Sequence, residues 1–383
     1  MSTICLNMIV KNESCIIEDT LKKLVSKIKF DTFIISDTGS TDNTVFLIEN
    51  FFKNRIKGKI YHDIWKDFGY NRSLALKHAS QESSDYVFIF DADDTIEGDI
   101  DLSNLILDSY MLQFGNQFNS YERMCLVKNN GSWYYRGVLH EYICSKNTTV
   151  PTKGSISGNY YIISGRTSFR NLDPDKYLND AKILEKGYQE SLESGDDLHH
   201  RYAYYCANSY FDAGKKELAK EWYLKTLKCQ GWFDERYNSC LKLYTLTNNK
   251  EYLVDSFWFN PRRVEGIYKL IQHYTCEDKH SIAWGYYKFI QNYFENEYIL
   301  DELSTKLFAN VQDYTFYLPY YMIIVCEKTK NYQTGVKMYN IIFNKKEVVG
   351  VWWINNLLFN LQFFTSFIDS SFQDQFQEYL CFL

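Results

Sequence analysis

The order of apolar and polar residues predicts strands and helices that alternate along the N-terminal part of the chain. Residues 3–10 are apolar enough for a first strand, and residues 14–28 carry apolar side chains at helical spacing. The same patterns predict further strands at 33–35, 59–62 and 86–90 and further helices at 41–54 and 70–80. Strands that are separated by helices are typical of an open α/β sheet.

From residue 174 onward, helical patterns replace the strand pattern and continue to the end of the chain. Residues 201–227 place small and aromatic side chains much as a tetratricopeptide helix pair does, at Ala203, Ala207, Tyr210, Ala219 and Tyr223. Later pairs, such as 265–274 with 282–294, follow that pattern less closely. We therefore predict an α/β domain over residues 1–170 and an all-α, repeat-like domain over residues 171–383.

Composition agrees with two domains and excludes some partners. The chain has 383 residues, which is more than one compact core usually serves. Its net charge of -6 gives no general attraction to nucleic acid, so we predict no nucleic-acid partner. The 10 cysteines include no C-x-x-C pair, and the N-terminal apolar run is too short for a signal peptide. These features predict reduced thiols and a cytoplasmic location.

One uncharged segment, residues 348–368, approaches the length of a membrane-spanning helix. It contains four amide side chains whose burial in lipid would be costly, namely Asn355, Asn356, Asn360 and Gln362. We therefore favour a packed terminal helix over a transmembrane anchor. An interfacial or partner-binding face and a true span are the alternatives, and a homo-oligomer is left open.

Three carboxylates follow the most apolar of the predicted strands. Asp91, Asp93 and Asp94 come directly after residues 86–90, which predict a central strand. Carboxylates crowded at a strand end repel one another unless a cation neutralises them, and oxygen ligands suit Mg²⁺ or Mn²⁺. Ligands of open α/β sheets bind at this edge. The alternative is a solvated acidic turn, because short D-x-D-D strings are common.

A second polar turn, at residues 36–42, joins a predicted strand to the next helix. Gly39 permits a tight turn there, and the free amides at the start of the helix favour an anion or another acceptor. Asp37, at the strand end, can accept a hydrogen bond from a ring N–H of a nucleobase. The alternative is simple helix capping by serine, threonine and aspartate.

Four motifs in this order resemble the signatures of family 2 glycosyltransferases with the GT-A fold: MIVKNES at 8–14, SDTGSTDNT at 36–44, DFGYNRSLAL at 67–76 and FIFDADD at 88–94. WYYRGVLHEYI at 133–143 is similar to a segment of a subgroup that carries tetratricopeptide repeats after the transferase domain. Residues 173–187, 201–219 and 231–239 also resemble that subgroup. The resemblance implies a Rossmann-like GT-A domain that binds a nucleotide-sugar donor.

The resemblance also implies roles for single residues of the donor site. Asp37 would hydrogen-bond the nucleobase, and Val10, at the end of the first strand, would pack beside it. Asp91 would hold the ribose or the metal. Asp93 would bind the metal that bridges the diphosphate, Mn²⁺ or Mg²⁺.

Further residues of the same motifs would act on the reacting groups. Arg72 would contact the diphosphate, although Ser73 and Asp94 stand where the subgroup has asparagine and glutamate. Because a departing diphosphate gains negative charge, a divalent ion and Arg72 would stabilise it. In an inverting transfer the acceptor hydroxyl needs a base, for which Glu141 is the candidate, with His140 as a metal or phosphate ligand. The alternative for this last pair is a loop held by structural hydrogen bonds.

The sequence thus predicts a metal-dependent, inverting glycosyltransferase that uses a nucleotide sugar with a uridine base and a hydroxyl acceptor in a glycan, protein or lipid. We also expect the first helices after residue 174 to help form the acceptor site. The alternative is a repeat-based scaffold that binds a protein partner and has an inactive transferase domain. A nucleotidyltransferase ranks last, because the loop at residues 11–14 lacks the glycines it would need.

Overall fold

A computed structural model describes residues 2–116, 120–295, 303 and 306–383. The chain forms two compact units, Met1–Ala219 and Lys220–Leu383. The last strand of the first unit ends at Ile163, and the first long helix begins at Lys176. The first unit therefore contains a sheet and the first two long helices that follow it. The domain boundary at residues 170 and 171 stays a prediction.

The first unit is built on a large mixed sheet and a small two-stranded one. The strands are β1 Ile4–Val10, β2 Thr32–Asp37, β3 Lys57–His62, β4 Tyr86–Ile89, β5 Thr95–Asp101, β6 Ser109–Gly115, β7 Ser120–Lys128, β8 Trp133–Arg136, β9 Tyr142–Ser145, β10 Lys153–Ser155 and β11 Ser157–Ile163. β8 and β9 form the small sheet, and the others form the large one.

Helices fill the connections of the first unit and make up the second. They are α1 Ile17–Lys27, α2 Thr44–Phe52, α3 Phe68–Ala79, α4 Lys176–Ser194, α5 His199–Asp212, α6 Lys216–Lys228, α7 Phe233–Thr247, α8 Glu251–Phe259, α9 Glu265–Cys276, α10 His280–Phe294, α11 Leu318–Lys328, α12 Tyr332–Lys345, α13 Val351–Leu361 and α14 Ser370–Phe382. A 3₁₀ turn lies at Phe169–Leu172, and a π-helical turn lies at Asp313–Tyr317. The predicted fold class, α/β followed by a helical region, is confirmed.

The large sheet has the strand order β3-β2-β1-β4-β7-β6-β11-β5, with β10 beside β6. β1 to β4 are parallel, and β7 pairs with β4 in the opposite direction. The chain moves outward from β1 to β3 and then returns to place β4 on the other side of β1. Ligands of open sheets bind at such a reversal of strand order, at the carboxyl ends of the strands. The carboxyl ends of β1 and β4 are therefore the expected place for a site.

Alternating side chains of the central strands pack on the two faces of the sheet. Leu6 and Met8 of β1 contribute to a core with α1 and α2, whereas Cys5 packs with the α3 residues Leu76 and Ala79 on the opposite face. All four residues of β4 are buried, as expected for a central parallel strand. This packing fixes the position of α3 against the sheet.

The second unit consists of helices packed mainly in sequential pairs, such as α7 with α8, α9 with α10 and α11 with α12. The predicted pair at 265–274 and 282–294 corresponds to α9 and α10. The tetratricopeptide character of the helices stays a prediction. The segment 348–368 contains the 11-residue helix α13. Within the described part of the chain, every helix is too short or too polar to cross a membrane.

A network of buried charges joins several segments of the second unit. Arg263 lies between α8 and α9, and its side chain is fully buried. It donates to both carboxylate oxygens of Glu265, at 2.7 and 3.3 Å, and to the Leu307 carbonyl at 2.8 Å. Asp234 of α7 lies 3.4 Å from the same guanidinium and accepts from the Leu307 amide at 2.7 Å. Each buried charge is thus paired, as its desolvation requires.

We expect the stability of the second unit to depend on the ionisation of Asp313. Burial, together with the nearby charge of Glu265, raises the pKa of Asp313 from 3.8 to about 6. Because the folded state binds this proton more tightly, its contribution to stability is present below about pH 4 and is lost as the pH rises to about 6. Asp313→Asn is therefore expected to raise the free energy of unfolding at about pH 7.5 by on the order of 1 kcal/mol, and Tm should rise with it. At about pH 4 the substitution should leave Tm unchanged.

Scanning calorimetry at both pH values tests this expectation. Asparagine keeps an oxygen that can accept the hydrogen bond from Asn310, which is 3.1 Å long. The exposed residue Asp374 of α14 offers a control, because Asp374→Asn makes the same charge change away from buried carboxylates. Equal shifts of Tm for Asp313→Asn at the two pH values would contradict the assignment.

Candidate active site

Charged side chains from three distant sequence segments meet beyond the carboxyl end of β4. The Nε of Arg72 donates to Oε1 of Glu141 at 2.7 Å, and its Nη2 donates to Oδ1 of Asp91 at 2.6 Å. Arg72 is buried in α3, and its guanidinium lies 5.7 Å from the ring centroid of Tyr135. The fold thus brings together Arg72, Asp91 and Glu141, all of which the sequence singled out.

Asp91 lies between two guanidinium groups. Besides Arg72, Arg123 of β7 approaches Oδ2 of Asp91 at 3.6 Å, and Arg123 also stacks over Phe114 at 4.7 Å. Burial alone would raise the pKa of Asp91, but the two arginines outweigh it and lower that pKa. The Asp91 carboxylate is therefore neutralised by the protein itself.

Asp93 and Asp94 accept hydrogen bonds from the segment that follows the last strand, residues 164–175. Oδ2 of Asp93 accepts from the Ser168 amide and from Nδ2 of Asn171, both at 3.3 Å. The Gly165 amide donates to Asp94 at 3.3 Å. A Cβ atom at Gly165 would lie 1.8 Å from the Asp93 carbonyl oxygen, so only glycine allows this approach. Burial, followed by the charge of Asp91, raises the pKa of Asp94 to about 8.

The same segment brings cations close to Asp93. The Nζ of Lys176 donates to Oδ1 of Asn171 at 2.5 Å, and the amide of Asn171 holds Asp93. Arg170 pairs with the buried Asp180 of α4. Burial, followed by the charge of Arg170, lowers the pKa of Lys176. This edge of the sheet therefore has both carboxylates and nearby positive charge, although the protein as a whole is acidic.

Glu13, in the loop after β1, is a buried carboxylate on the same side of the sheet. Its Oε2 accepts from the Phe169 amide at 3.3 Å, and its backbone amide donates to Oγ1 of Thr44 at 2.7 Å. Burial, with an added contribution from the charge of Asp93, raises the pKa of Glu13 to about 7. A positive charge placed beside Asp93 would favour the ionised form of Glu13.

Asp37 and Val10 lie side by side at the ends of β2 and β1, where they are paired in register. The buried Asp37 accepts from the Ser40 amide at 3.1 Å and lies 3.3 Å from Nδ1 of His62. The Val10 carbonyl accepts from the Thr38 amide at 2.9 Å. Gly39 has a φ of 101°, in agreement with the predicted tight turn. The role of Asp37 toward a nucleobase stays a prediction.

His140 directly precedes Glu141, but its ring contacts α5 and not Asp91. Its ring stacks on Tyr205 of α5 with centroids 4.0 Å apart. Although the residue is exposed, desolvation of its ring, followed by the charge of Arg201, lowers the pKa of His140 to about 3. The imidazole is therefore neutral near pH 7, which is the form that binds metals and stacks.

The structure allows a test of whether the proposed ligands fit a divalent metal. Asp91 fits poorly, because guanidinium groups occupy both of its oxygens. Asp93 fits better, since its two hydrogen bonds are long and its charge raises the pKa of Asp94 and of Glu13. Among the described residues no three His, Cys, Asp or Glu side chains converge on one position. Mg²⁺ is commonly bound by one or two carboxylates together with substrate phosphates, and Asp93 is suited to that arrangement.

Sequence reasoning did not identify Arg123, Glu13 or Tyr205 as members of this site. Arg123 lies outside the quoted motifs, and its contact with Asp91 depends on how β7 pairs with β4. Glu13 lies inside the first motif, and its place directly after a buried strand was the available signal. The stacking of Tyr205 on His140 joins residues 65 positions apart, so no local pattern indicates it.

The N-terminal part of the chain matches one protein family. Residues 5–109 match the model of the family described as glycosyl transferase family 2. The matched range contains β1 to β5 and includes Asp37, Arg72, Asp91 and Asp93, but it ends before Glu141. No curated protein matches the sequence.

Solved structures resemble the chain only distantly. The S. aureus protein TarS has 13% sequence identity and a TM-score of 0.36, and the match covers 65% of this chain and 54% of that one. TarS 1-349 in complex with UDP-GlcNAc has 13% sequence identity and a TM-score of 0.34, and the match covers 80% of this chain and 93% of that one. The mannosyltransferase PcManGT from Pyrobaculum calidifontis, in complex with GDP-Man and Mn²⁺, has 10% sequence identity and a TM-score of 0.34. That match covers 67% of this chain and 84% of the other. This chain thus spans about half the length of that TarS chain.

Proposed function

We propose that this chain, whose residues 5–109 match the glycosyl transferase family 2 model, transfers a sugar from a nucleoside diphosphate sugar donor to a hydroxyl acceptor with inversion. A UDP sugar is the proposed donor. The observation that carries the proposal is the contact of Arg72 with both Asp91 and Glu141. It places a buried positive charge and a carboxylate together at the reversal of strand order, where donors of open sheets bind.

The donor is proposed to lie across the carboxyl ends of β1 and β4. Asp37 and Val10, paired at the strand ends, would receive the nucleobase. The diphosphate would lie near Arg72 and Lys176, whose positive charges favour it. A divalent ion held by Asp93 would neutralise charge that develops on the departing diphosphate.

Glu141 is proposed to take the proton from the acceptor hydroxyl. Arg72 binds Oε1 of Glu141 at 2.7 Å, which leaves the base role to Oε2. The same guanidinium would stabilise negative charge on the leaving group, so one side chain links the base to the departing diphosphate. Asp91 would hold Arg72 in place and would not be a metal ligand. His140 would act as a neutral neighbour of the base, in contact with α5.

Thermal shift with a panel of donors tests this proposal. In the presence of Mn²⁺, one of UDP-glucose, UDP-N-acetylglucosamine and GDP-mannose is expected to raise Tm. A ligand present at about 100 times its Kd stabilises the folded state by about 2.7 kcal/mol. The same donor is expected to release nucleoside diphosphate slowly by hydrolysis. A folded protein that neither binds nor hydrolyses any donor of the panel would contradict the proposal.

Asp93→Ala is expected to abolish the Mn²⁺-dependent part of that shift, because Asp93 is the proposed protein ligand of the metal. The fold should be retained, since the carboxylate makes only two hydrogen bonds of 3.3 Å. Titration calorimetry with Mn²⁺ and UDP measures the effect directly. Asp19→Ala, on the exposed face of α1, is the control for charge. Wild-type affinity for Mn²⁺ and UDP in Asp93→Ala would show that the metal lies elsewhere.

A further inference from the structure

The loop that carries Glu141, residues 137–141, has a strained and tightly packed backbone. His140 has a φ of 53°, in the left-handed region, and Gly137 has a φ of 108°. A Cβ atom at Gly137 would lie 3.2 Å from the Cα of Glu141, which shows how sharply the loop turns. A non-glycine residue in the left-handed region is strained and persists only when its surroundings hold it.

One side of this loop is held by α3. The Phe68 amide donates to the Val138 carbonyl at 3.2 Å. A Cβ atom at Gly69 would lie 2.3 Å from the Gly137 carbonyl oxygen, so the first turn of α3 is in close contact with the loop. The helix that supplies Arg72 therefore also supports the segment that supplies Glu141.

The other side of the loop is held by α5. Arg201 donates from Nε and Nη2 to the His140 carbonyl, at 3.0 and 2.9 Å. Tyr205, one turn farther along α5, stacks on the His140 ring, and Arg201 lies 4.8 Å from the centroid of Tyr205. The Val138 amide donates to the hydroxyl of Tyr202 at 3.1 Å.

A second connection holds the start of α5 to the strand before the loop. Arg136, the last residue of β8, pairs with Asp196 and Asp197 in the turn between α4 and α5. In addition, a Cβ atom at Gly187 of α4 would lie 2.8 Å from a methyl group of Val138. All these contacts lie within the first compact unit.

We propose that Arg201 and Tyr205 are positioning residues for Glu141, and that α5 is thereby part of the catalytic apparatus. This inference rests on the proposed function. The His140 carbonyl belongs to the peptide group that joins His140 to Glu141, so two donors on that oxygen fix the orientation of the peptide. The stacked Tyr205 fixes the His140 side chain on the same peptide. Together they hold the Cα of Glu141 where its carboxylate meets Arg72.

Loss of this support is expected to affect the chemical step more than binding. A displacement of about 1 Å in a reacting group can cost about 10²-fold in rate. We expect Arg201→Ala to lower kcat for donor hydrolysis about 10- to 100-fold with donor KM changed less than about twofold. Arg201→Lys, which keeps one donor group, is expected to recover part of the loss. Lys186→Ala, on the exposed face of α4, is expected to match the wild type.

Hydrogen exchange provides a second measurement that does not depend on turnover. In Arg201→Ala the amides of residues 138–142 are expected to exchange at least about tenfold faster, while β1 and β4 exchange as in the wild type. The hydrolysis assay uses the panel donor that the wild-type chain cleaves fastest. If the wild type cleaves no donor, the proposed function fails, and exchange alone decides the positioning role.

Two results would overturn the inference. Unchanged exchange of residues 138–142 in Arg201→Ala would show that α5 does not hold the loop. A rise in donor KM with unchanged kcat would assign Arg201 to donor binding instead. Faster exchange of the loop together with a loss of kcat that Arg201→Lys partly reverses supports the positioning role.

Discussion

Glu141→Gln is expected to lower kcat for donor hydrolysis, in which water replaces the acceptor hydroxyl, by about 10²- to 10⁴-fold, the range over which a positioned general base contributes. Donor KM should stay within about twofold of the wild type, because the glutamine oxygen can still accept a hydrogen bond from Arg72. For the same reason, the rise in Tm with donor and Mn²⁺ should stay within about 1 °C of that of the wild type. The measurement is the release of nucleoside diphosphate under saturating donor. The substitution removes the charge and the basicity of the side chain with little change in its shape.

A control variant and a second test variant accompany this substitution. Glu18→Gln changes an exposed glutamate of α1 and should leave kcat unchanged. Arg72→Lys should also lower kcat, because a lysine ammonium cannot reproduce the two directed bonds to Asp91 and Glu141. Turnover at the wild-type rate in Glu141→Gln would show that the base lies elsewhere and that Glu141 serves only to hold Arg72.

The largest effect on stability is expected from Arg263→Met in the second unit. Removing the guanidinium leaves Glu265 and Asp234 buried without their positive partner. Breaking a buried ion pair from one side typically costs about 3–5 kcal/mol. For a unit of this size the loss corresponds to a fall in Tm on the order of 10 °C, which calorimetry or circular dichroism at 222 nm would record.

The neighbouring residue supplies a matched control for this substitution. Arg262 is exposed, so Arg262→Met should change stability by less than about 1 kcal/mol. Adding Glu265→Gln to Arg263→Met should restore part of the loss, because it removes one of the two stranded charges. A loss below about 1 kcal/mol for Arg263→Met alone would contradict the assigned role of the network.

The parallel half of the sheet could be predicted from the sequence because each strand is a short apolar run bounded by polar turns. β1 and β4 were predicted to within one residue at each end. The later strands, β5 to β11, were not individually predicted. β5, for example, has one buried residue among exposed ones, so its pattern resembles that of a loop. Its pairing with β11, more than 50 residues away, determines its conformation.

The candidate site could be predicted as far as its motifs extend, and no farther. Asp91 and Arg72 each lie in a recognisable segment, and the fold brings both together with Glu141. Arg123 reaches Asp91 because β7 pairs with β4, where Tyr86 is opposite Lys128 and Phe88 is opposite Leu126. The predicted role of Asp91 toward the ribose or the metal stays a prediction, and this second guanidinium supports the proposal that Asp91 holds Arg72 in place.

The contacts of α5 with the loop at residues 137–141 also bear on how the protein could be divided into parts. A fragment ending at residue 170 would contain β1 to β11 and every motif up to Glu141, yet it would lack Arg201, Tyr202 and Tyr205. In such a fragment the left-handed turn at His140 would depend on α3 alone. The smallest portion that retains both supports of this turn therefore extends through the end of α5, at Asp212.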